Sequence, residues 1–385
     1  MSLITASLAH LERLIAFPTV SRDSNLALID HVEALLRTAG ASTTRVLSDD
    51  GRKANLHAIL GPTDRPGVML SGHTDVVPVE GQAWSSDPFV LRRAEGRLYG
   101  RGTADMKGFI ACALAMAEQA KGRSLRVPLV LSLSYDEEVG CLGVRRLLGM
   151  MQQMPVKPRF CIVGEPTLMQ VVNAHKGKTS TRIDCIGAEA HSSLPDAGMN
   201  AIHMACDVIA GLRGLQGNIC QQGHHDHGYE VPHTTVHIGC IHGGEALNIV
   251  PNHCWLDFEI RHLPQDDIDG LMAQVAEIAA TVRAEARQRF PQADVRLSPL
   301  SSYPALHTPA DAEVVAFVKS LTGGNSVGQI SFGTEGGLYA RELGIPTVVC
   351  GPGSITQAHK PDEYLADSEL AACCTMLERL LDWAQ

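Results

Sequence analysis

Short apolar segments of strand character alternate with segments of helical period along the first 175 or so residues of this chain. Leu3–Ala16 and Leu26–Thr38 have the helical period, whereas Asn55–Leu60, Gly67–Ser71 and Phe160–Val163 are short apolar runs near turn residues. A parallel strand pair needs a long crossover connection, which is usually a helix. The alternation therefore predicts an α/β domain with a mostly parallel sheet.

The pattern changes near residue 178. Three segments then alternate polar and apolar residues like half-exposed strands, and two have the helical period: Thr179–Ile186, Thr234–Ile241 and Cys254–Arg261, with Asn200–Leu215 and Asp267–Arg289. The first pattern returns near Ser302. We predict a mostly parallel-sheet catalytic domain in two parts, residues 1–178 and 298–385, interrupted by an α+β sandwich at residues 179–297.

Charge and composition exclude several classes of function. The net charge is −10 with no run of lysine and arginine, which argues against a nucleic-acid partner. No apolar run reaches the ~18 residues that span a membrane, and the start, Met1–Thr5, lacks the pattern of a signal peptide. The eleven cysteines are scattered without a C-x-x-C pair, as expected of reduced and mostly buried thiols. A cytoplasmic location is predicted.

Five stretches that carry acids or histidines follow strand-like runs, where sites form in open α/β sheets. Together they offer two imidazoles and several carboxylates, a set that suits two divalent metals with one carboxylate left as a base. The stretches are Ser71–Asp75, Gly102–Met106, Asp136–Glu138, Gly164–Pro166 and Gln357–Lys360.

Each stretch taken alone has an ordinary structural explanation. Asp105 follows a glycine-rich turn and is a candidate helix N-cap, and it opens a predicted helix that runs to about Ala120. The acidic run 136–138 is explained equally well as a solvated turn before a helix that starts near Gly140. Three adjacent carboxylates repel one another when buried, and a metal pair would relieve that repulsion. The combination of all five stretches favours the metal site.

Weaker signals lie outside these stretches. The histidine-rich segment with His224, His225, His227 and His233 is predicted to be a loop, with plain solvation or adventitious metal affinity. Arg101, Lys107 and Lys360 are interpreted as structural ion-pair partners rather than substrate ligands.

The five stretches, in this order, resemble those of the co-catalytic zinc amidohydrolases. That family includes acetylornithine deacetylase, succinyl-diaminopimelate desuccinylase, aminoacylase and carboxypeptidase G2, and the resemblance covers essentially the whole chain. Within the family, segments 333–335, 351–355 and 357–364 are most similar to the acetylornithine deacetylases.

The resemblance implies a role for each strand-end residue. Asp105 would bridge two metals; His73 and Glu165 would complete one site, and Glu138 and His359 the other. Glu137 would be the general acid/base, and Asp75 would orient His73.

The inserted domain would supply further groups if the resemblance holds. His191, in the segment Ala190–Pro195, matches a family histidine that reaches the partner subunit's active site and binds the developing oxyanion. Asn248, Arg261, Thr334 and Glu335 are candidates for substrate contact, although Glu335 is equally a candidate for an acid behind the metal ligands.

The expected reaction is hydrolysis of N-acetyl-L-ornithine to L-ornithine and acetate, a step of arginine biosynthesis. The alternatives are a deacylase of the same fold acting on another N-acyl amino acid, of the succinyl-diaminopimelate or aminoacylase type, and a non-catalytic binding protein on this scaffold. The expected cofactors are two divalent metals per subunit, zinc or else cobalt. The expected partners are a small-molecule N-acyl amino acid and a second copy of the chain, joined through the inserted lid/dimerisation domain.

Overall fold

The structure of the protein is a computed structural model that describes residues 2–385. Within that range it contains nine α-helices: α1 Leu3–Ile15, α2 Leu26–Thr38, α3 Gly108–Ala120, α4 Val144–Gln152, α5 Ala201–Gln222, α6 Ile268–Arg287, α7 Glu313–Thr322, α8 Gly336–Leu343 and α9 Asp367–Trp383. A turn at Thr103–Lys107, in which Asp105 and Met106 have non-helical φ/ψ angles, precedes α3.

The same range contains sixteen strands. They are β1 Ser42–Leu47, β2 Ala54–Leu60, β3 Val68–His73, β4 Arg92–Ala94, β5 Arg97–Tyr99, β6 Leu129–Ser134, β7 Phe160–Val163, β8 Val171–His175, β9 Gly177–Ile186, β10 Thr235–Gly243, β11 His253–His262, β12 Asp294–Tyr303, β13 Leu306–His307, β14 Val327–Ile330, β15 Thr347–Val349 and β16 Tyr364–Ala366.

The chain forms two compact units. The first comprises the chain up to His175 together with Leu306–Gln329 and Thr334–Gln385, and the second comprises Lys176–Ala305 and Ile330–Gly333. The functions predicted for the inserted segment, as a lid and a dimerisation surface, stay predictions.

The first unit is built on a nine-stranded sheet with the order β1-β2-β6-β3-β7-β15-β8-β13, in which β14 pairs with β8. The central pairs β6–β3, β3–β7 and β7–β15 are parallel, and the pairs β1–β2, β2–β6, β15–β8 and β8–β13 are antiparallel. Of the strands in that order, only β2 and β8 run against the others. The prediction of a mostly parallel central sheet is confirmed.

Helices pack against this sheet and against one another through buried apolar residues. Helix α3 is buried at eleven of its thirteen positions, so it is apolar almost all round, as expected of a helix inside a core. It packs against α1, α2 and α9, each of which buries one stripe. Strands β3 and β6, at the centre of the sheet, are buried at every position.

The second unit is an antiparallel sheet with the order β10-β11-β9-β12, against which α5 and α6 pack. Strand β11 alternates buried and half-buried residues along its length, as its sequence predicts. Strand β12 was not predicted from the sequence, because Pro299 interrupts its pattern. The structure places Pro299 on an edge strand at a shift in register, one of the few places where a sheet accepts proline.

One helix start differs from its prediction. Helix α4 begins at Val144, not near Gly140. Gly140 and Cys141 have φ angles of 114° and 54°, which a right-handed helix does not allow, so the chain forms a turn there first. None of the helices within residues 2–385 is both long and apolar enough to cross a membrane. Eight of the eleven cysteines are buried, which confirms the predicted burial of most thiols.

Candidate metal centre

The candidate residues meet at one edge of the sheet of the first unit. Strand β3 lies between β6 and β7, and its pairing places His73 beside Ser134 and Ser71 beside Val163. The three parallel strands therefore end at one edge, and the segments that follow them emerge together. Those segments carry Asp75, Glu137, Glu138 and Glu165.

His73 is held by its neighbours in one orientation. The side chain is 1 % exposed, and Nδ1 lies 2.9 Å from the backbone carbonyl oxygen of Asp75. Because a carbonyl oxygen only accepts, Nδ1 carries the proton and Nε2 is the nitrogen available to a metal. Nε2 lies 3.0 Å from Oδ1 of Asp105 and 3.7 Å from Oε1 of Glu165.

The carboxylate of Asp75 braces the acidic turn. Its Oδ1 accepts from the backbone N–H of Glu137 at 3.1 Å, and its Oδ2 accepts from that of Glu138 at 3.3 Å and from Ser21 Oγ at 2.8 Å. Its side chain is 3.6 Å from Nδ1 of His73, farther than its own carbonyl oxygen. Asp75 thus fixes the imidazole mainly through its backbone.

Asp105 lies between two imidazoles. Its Oδ1 faces Nε2 of His73, and its Oδ2 lies 3.3 Å from Nε2 of His359. His359 also lies 3.0 Å from Oε2 of Glu138. The side chain of His359 is 52 % exposed, so the second imidazole is far more open to solvent than the first.

The loop that carries Asp105 is shaped by Glu363. One oxygen of this buried carboxylate accepts from the backbone N–H groups of Ala104 and Asp105 at 2.9 and 3.1 Å. The other accepts from the N–H of Gly102 at 3.0 Å and from Nη1 of Arg101 at 2.7 Å. The N-cap alternative for Asp105 is wrong, because α3 begins at Gly108 and the Asp105 side chain faces the imidazoles.

Glu363 was not singled out from the sequence. It lies in the segment 357–364 that carried the family resemblance, but only the folded chain brings it to the loop 101–105. The predicted ion pair of Arg101 is confirmed, with Glu363 as its partner. The ion pair predicted for Lys107 is wrong: Nζ is buried and donates to the carbonyl oxygens of Leu14 and Phe17.

The carboxylates of the three adjacent acids in the turn each contact a different residue. Asp136 forms an ion pair of 2.6 Å with Lys53. Oε1 of Glu137 lies 3.3 Å from the thiol of Cys141. Glu138 reaches His359. The turn therefore separates its carboxylates, and the interpretation of the run as a wholly solvated acidic turn is wrong.

Crowding of carboxylates in a buried space shifts their protonation. Burial raises the pKa of Glu137 to about 8, and burial together with Asp105 raises the pKa of Glu138 to about 7 and that of Glu165 well above its usual range. Burial acts in the same direction on Asp105, but hydrogen bonds from His359 and His73 lower its pKa below the usual value. Without a cation these acids hold protons that they would not hold in water.

The donor set fits a pair of divalent cations. His73, Glu137 and Glu165 offer one donor atom each within 4.8 Å of one another, and so do His73, Asp105 and Glu138. Oε1 of Glu138 is buried and has no hydrogen-bond partner among the residues described. Mixed imidazole and carboxylate donors suit zinc and related ions. Cations here would satisfy the orphaned oxygen and relieve the repulsion between the acids.

The other predicted site residues lie elsewhere. His191 and Asn248 are exposed in the second unit, in neighbouring segments: Ser192 N donates to the carbonyl oxygen of Asn248 at 3.0 Å. Arg261, in β11, donates from Nε to Glu259 at 2.7 Å. None of these three lies in the unit that carries the metal centre, and their predicted roles stay predictions.

His191 is fixed in one tautomer. The backbone N–H of Ser193 donates to Nδ1 at 3.1 Å, so Nδ1 accepts and Nε2 carries the proton. The hydroxyl of Ser193 lies 2.7 Å from the same nitrogen. The exposed face of His191 therefore presents a hydrogen-bond donor.

Thr334 and Glu335 are buried in the first unit. Thr334 Oγ1 accepts from the N–H of Gly336 at the start of α8, and Glu335 Oε2 lies 3.5 Å from the hydroxyl of Ser71. Burial raises the pKa of Glu335 to about 7. The contacts described are all internal, and substrate contact by either residue stays a prediction.

Comparison with known proteins places the chain among metallopeptidases and deacetylases. Residues 69–383 match Peptidase family M20/M25/M40. The chain is 37 % identical over 376 residues to the acetylornithine deacetylase of Myxococcus xanthus, covering 96 % of this chain and 95 % of that protein.

Solved structures share the fold at low identity. The M20 family metallo-carboxypeptidase Sso-CP2 of Sulfolobus solfataricus has a TM-score of 0.77 and 16 % identity, covering 97 % of this chain and 98 % of that chain. The YXEP protein of Bacillus subtilis, described as a dinuclear metal binding peptidase, has a TM-score of 0.67 and 15 % identity, covering 99 % and 98 %.

Proposed function

The chain belongs to peptidase family M20/M25/M40, and on that premise we propose that it is a dinuclear metal amidohydrolase that converts N-acetyl-L-ornithine to L-ornithine and acetate. The name of the Myxococcus xanthus relative, at 37 % identity over nearly the whole chain, supports this choice of substrate. The reaction serves arginine biosynthesis, and a cytoplasmic location is proposed with it.

The observation that carries the proposal is the position of Asp105. Each of its two oxygens faces a different imidazole, at 3.0 Å from His73 and 3.3 Å from His359. One further acid flanks each imidazole, Glu165 beside His73 and Glu138 beside His359. A carboxylate so placed is suited to join two cations.

In the proposed assignment, Asp105 would hold both cations, zinc being the first choice. His73 and Glu165 would complete one site, and Glu138 and His359 the other. When bound, the cations would polarise the substrate carbonyl and acidify the attacking water.

Glu137 is proposed to move the proton. Its carboxylate accepts a proton from the attacking water at Oε1 or Oε2 and returns it to the leaving nitrogen. The hydrogen bond that its backbone N–H donates to the carboxylate of Asp75 and the contact with the Cys141 thiol hold it in the site. Glu137 also belongs to one of the two groups of potential ligands, and metal analysis of Glu137→Gln separates a base role from a ligand role.

His191 is proposed to stabilise the oxyanion. The Ser193 N–H occupies Nδ1 and leaves Nε2–H as a donor. A donor aimed at a developing oxyanion lowers the barrier by roughly 3 kcal/mol. The proposal includes action across a homodimer, with His191 reaching the site of the partner subunit.

A substrate panel tests the reaction. The metal-loaded enzyme should release ornithine from N-acetyl-L-ornithine with a kcat/KM at least ~10-fold above those for N-succinyl-diaminopimelate and N-acetylmethionine, since a mismatched side chain costs about that much. A higher value for either competitor would favour the alternative deacylase. No hydrolysis of any of them, with two metals bound, would favour a binding protein.

Metal content is tested separately. Elemental analysis after saturation with zinc should give two ions per subunit, and removal by a chelator should abolish turnover reversibly. One tight ion, with no activation by a second, would contradict the two-metal assignment.

The dimer is proposed to form through the second unit. The sheet order leaves β10 and β12 as edge strands, and exposed edges are commonly protected by pairing. Light scattering should give twice the chain mass at assay concentration. A fully active monomer would rule out both the dimer and action of His191 across it.

A further inference from the structure

A cavity lies at the other edge of the sheet of the first unit. Its volume is about 210 Å³, and it is lined by parts of β2, β6 and the segment Met154–Pro158. Gly67 and Pro128, which precede β3 and β6, also line it. The cavity therefore lies at the amino ends of strands whose carboxyl ends carry the metal centre. His57, which lines the cavity, pairs with Ser132, two residues along β6 from Ser134, the partner of His73.

The wall of the cavity is mostly apolar. Ile59 and Val130 are cross-strand partners in the register of β2 and β6, and three prolines, Pro62, Pro155 and Pro158, are among the other lining residues. A dry cavity of ~150 Å³ holds benzene. The space is therefore large enough for a six-membered ring with one or two small substituents.

A single buried polar group lines this wall. His57 is 2 % exposed, and its Nε2 has no hydrogen-bond partner among the residues described. Its Nδ1 lies 2.8 Å from the hydroxyl of Ser132, and that hydroxyl donates to the sulfur of Met69 at 3.1 Å. We assign the serine proton to Met69, so that the serine accepts from Nδ1–H of His57.

The hydrogen-bond chain leaves Nε2 of His57 as an unprotonated acceptor. Burial lowers the pKa of His57 to about 4, which keeps the ring neutral at pH 7. A buried acceptor without a donor costs free energy, and a ligand that brings an N–H or O–H recovers it. The cavity therefore favours a molecule with a donor at its inner end.

The rim of the cavity is basic. Arg65 and Lys157 line it and are exposed, whereas no Asp or Glu is found among its lining residues in the described part of the chain. Arg65 also pairs with the adjacent Asp64 at 2.8 and 3.1 Å, and Asp64 does not line the cavity. The charge at the rim favours an anionic group on the outer end of a ligand.

We propose that this cavity is a binding site for a small aromatic acid that carries a hydrogen-bond donor on its ring. The ring fills the apolar space over Ile59 and Val130. The donor reaches Nε2 of His57, and the acid lies between Arg65 and Lys157. The site is separate from the metal centre and does not depend on the proposed reaction.

Nuclear magnetic resonance tests the site on the metal-loaded protein with ¹⁵N-labelled histidine. The probe is 4-hydroxybenzoate, with benzoate lacking the ring donor and phenol lacking the charge. The resonance of His57 is identified by its absence in His57→Phe. We expect 4-hydroxybenzoate to shift this resonance saturably, and benzoate to bind several-fold more weakly because it leaves Nε2 unpaired.

A rim variant keeps the test independent of any effect of His57→Phe on folding. Arg65→Gln with Lys157→Gln should weaken binding of 4-hydroxybenzoate several-fold and leave phenol unchanged. The matched control is Arg341→Gln with Lys121→Gln; Arg341 pairs with the adjacent Glu342 as Arg65 does with Asp64.

Three results would overturn the proposal. The first is an unchanged His57 resonance at millimolar concentrations of all three probes, which would leave a water-filled cavity only. The second is a response confined to other histidines, such as His73 or His359, which would place the acid at the metal centre. The third is equal binding of benzoate and 4-hydroxybenzoate, or an unchanged rim variant, since either removes the recognition argued above.

Discussion

Two buried histidines lie on either side of β6, and their surroundings give them opposite properties. His57 pairs in register with Ser132 from β2, and His73 pairs with Ser134 from β3. Their exposed fractions are 2 % and 1 %. Burial lowers the pKa of His57 to about 4. Burial acts on His73 in the same direction, but the hydrogen bond to Asp105 and the charge of Glu165 raise its pKa well above the usual value.

The contrast separates burial from electrostatic environment. Both imidazoles lose contact with water to the same extent, so desolvation alone would make both neutral. At the carboxyl ends of the parallel strands, four acids lie near His73: Asp105, Glu137, Glu138 and Glu165. At the opposite end of the sheet, His57 contacts a serine and lines a mostly apolar cavity. One edge can therefore hold cations, and the other can hold a small apolar molecule.

The largest expected effect on turnover comes from an acid at the carboxyl edge. Glu137→Gln should lower kcat by at least ~100-fold, because loss of a general base costs ~10²–10⁴. Elemental analysis should still give two metals. Glu138→Gln should lose metal as well as activity. The neighbouring Asp136→Asn is the control, because Asp136 pairs with Lys53 instead. Turnover near that of the parent enzyme in metal-loaded Glu137→Gln would move the base elsewhere.

Unlike the buried His57 and His73, His191 is exposed, and its tautomer is set by the hydrogen bond from Ser193. His191→Ala should lower kcat by ~10²–10³ with both metals retained. The exposed His203 of the same unit is the matched control and should tolerate alanine. A His191→Ala enzyme with ordinary turnover would remove the oxyanion role.

Mixing variants tests whether His191 acts across a dimer. Heterodimers of inactive His191→Ala and inactive Glu137→Gln should recover activity, because one of their two sites carries neither defect. Subunit exchange has to be verified first, for example by mass spectrometry. Verified heterodimers that stay inactive would confine His191 to its own subunit.

A smaller effect is expected when the loop that carries Asp105 loses its hydrogen bonds to Glu363. Glu363→Gln should weaken metal binding by ~10–100-fold, as loss of a group that orients a ligand typically does. Metal titration with a chelating indicator measures this directly, and activity should return at high metal concentration. The control is Asp367→Asn, because the Asp367 side chain pairs with Arg93 and not with the loop of Asp105. Equal metal affinity in the two variants would contradict the role of Glu363.

The smallest effect on turnover is expected at the amino edge. His57→Phe should leave kcat and KM unchanged but alter the pH dependence of stability. The pKa of His57 is about 4 in the folded protein and about 6.5 in the unfolded chain. Between these pH values the unfolded chain binds more protons than the folded protein. The free energy of unfolding therefore falls as the pH falls. Between pH 7 and pH 5 the parent protein should lose about 2 kcal/mol relative to His57→Phe, measured by denaturant unfolding. Parallel curves would show that His57 is not buried neutral.

The sequence predicted the elements with strong periodicity and few special residues. Helix α2 and strand β7 have the predicted bounds. The start of α4 was missed because the left-handed conformation of Cys141 is imposed by the turn around Glu137, not by any local preference of cysteine. Strand β12 was missed because Pro299 lowers the strand signal wherever it occurs, and only the sheet order shows that it lies on an edge.

The sequence by itself determined the chemistry available to this protein: its order of strands and helices, and the acids and histidines that follow the strands. Those features are local, because a strand end and its next residues are adjacent in the chain. Only the tertiary structure decided which carboxylate faces which imidazole, that Glu363 shapes the loop of Asp105, and that the pKa values of His57 and His73 shift in opposite directions. These depend on contacts between residues up to 262 positions apart, which no local pattern encodes.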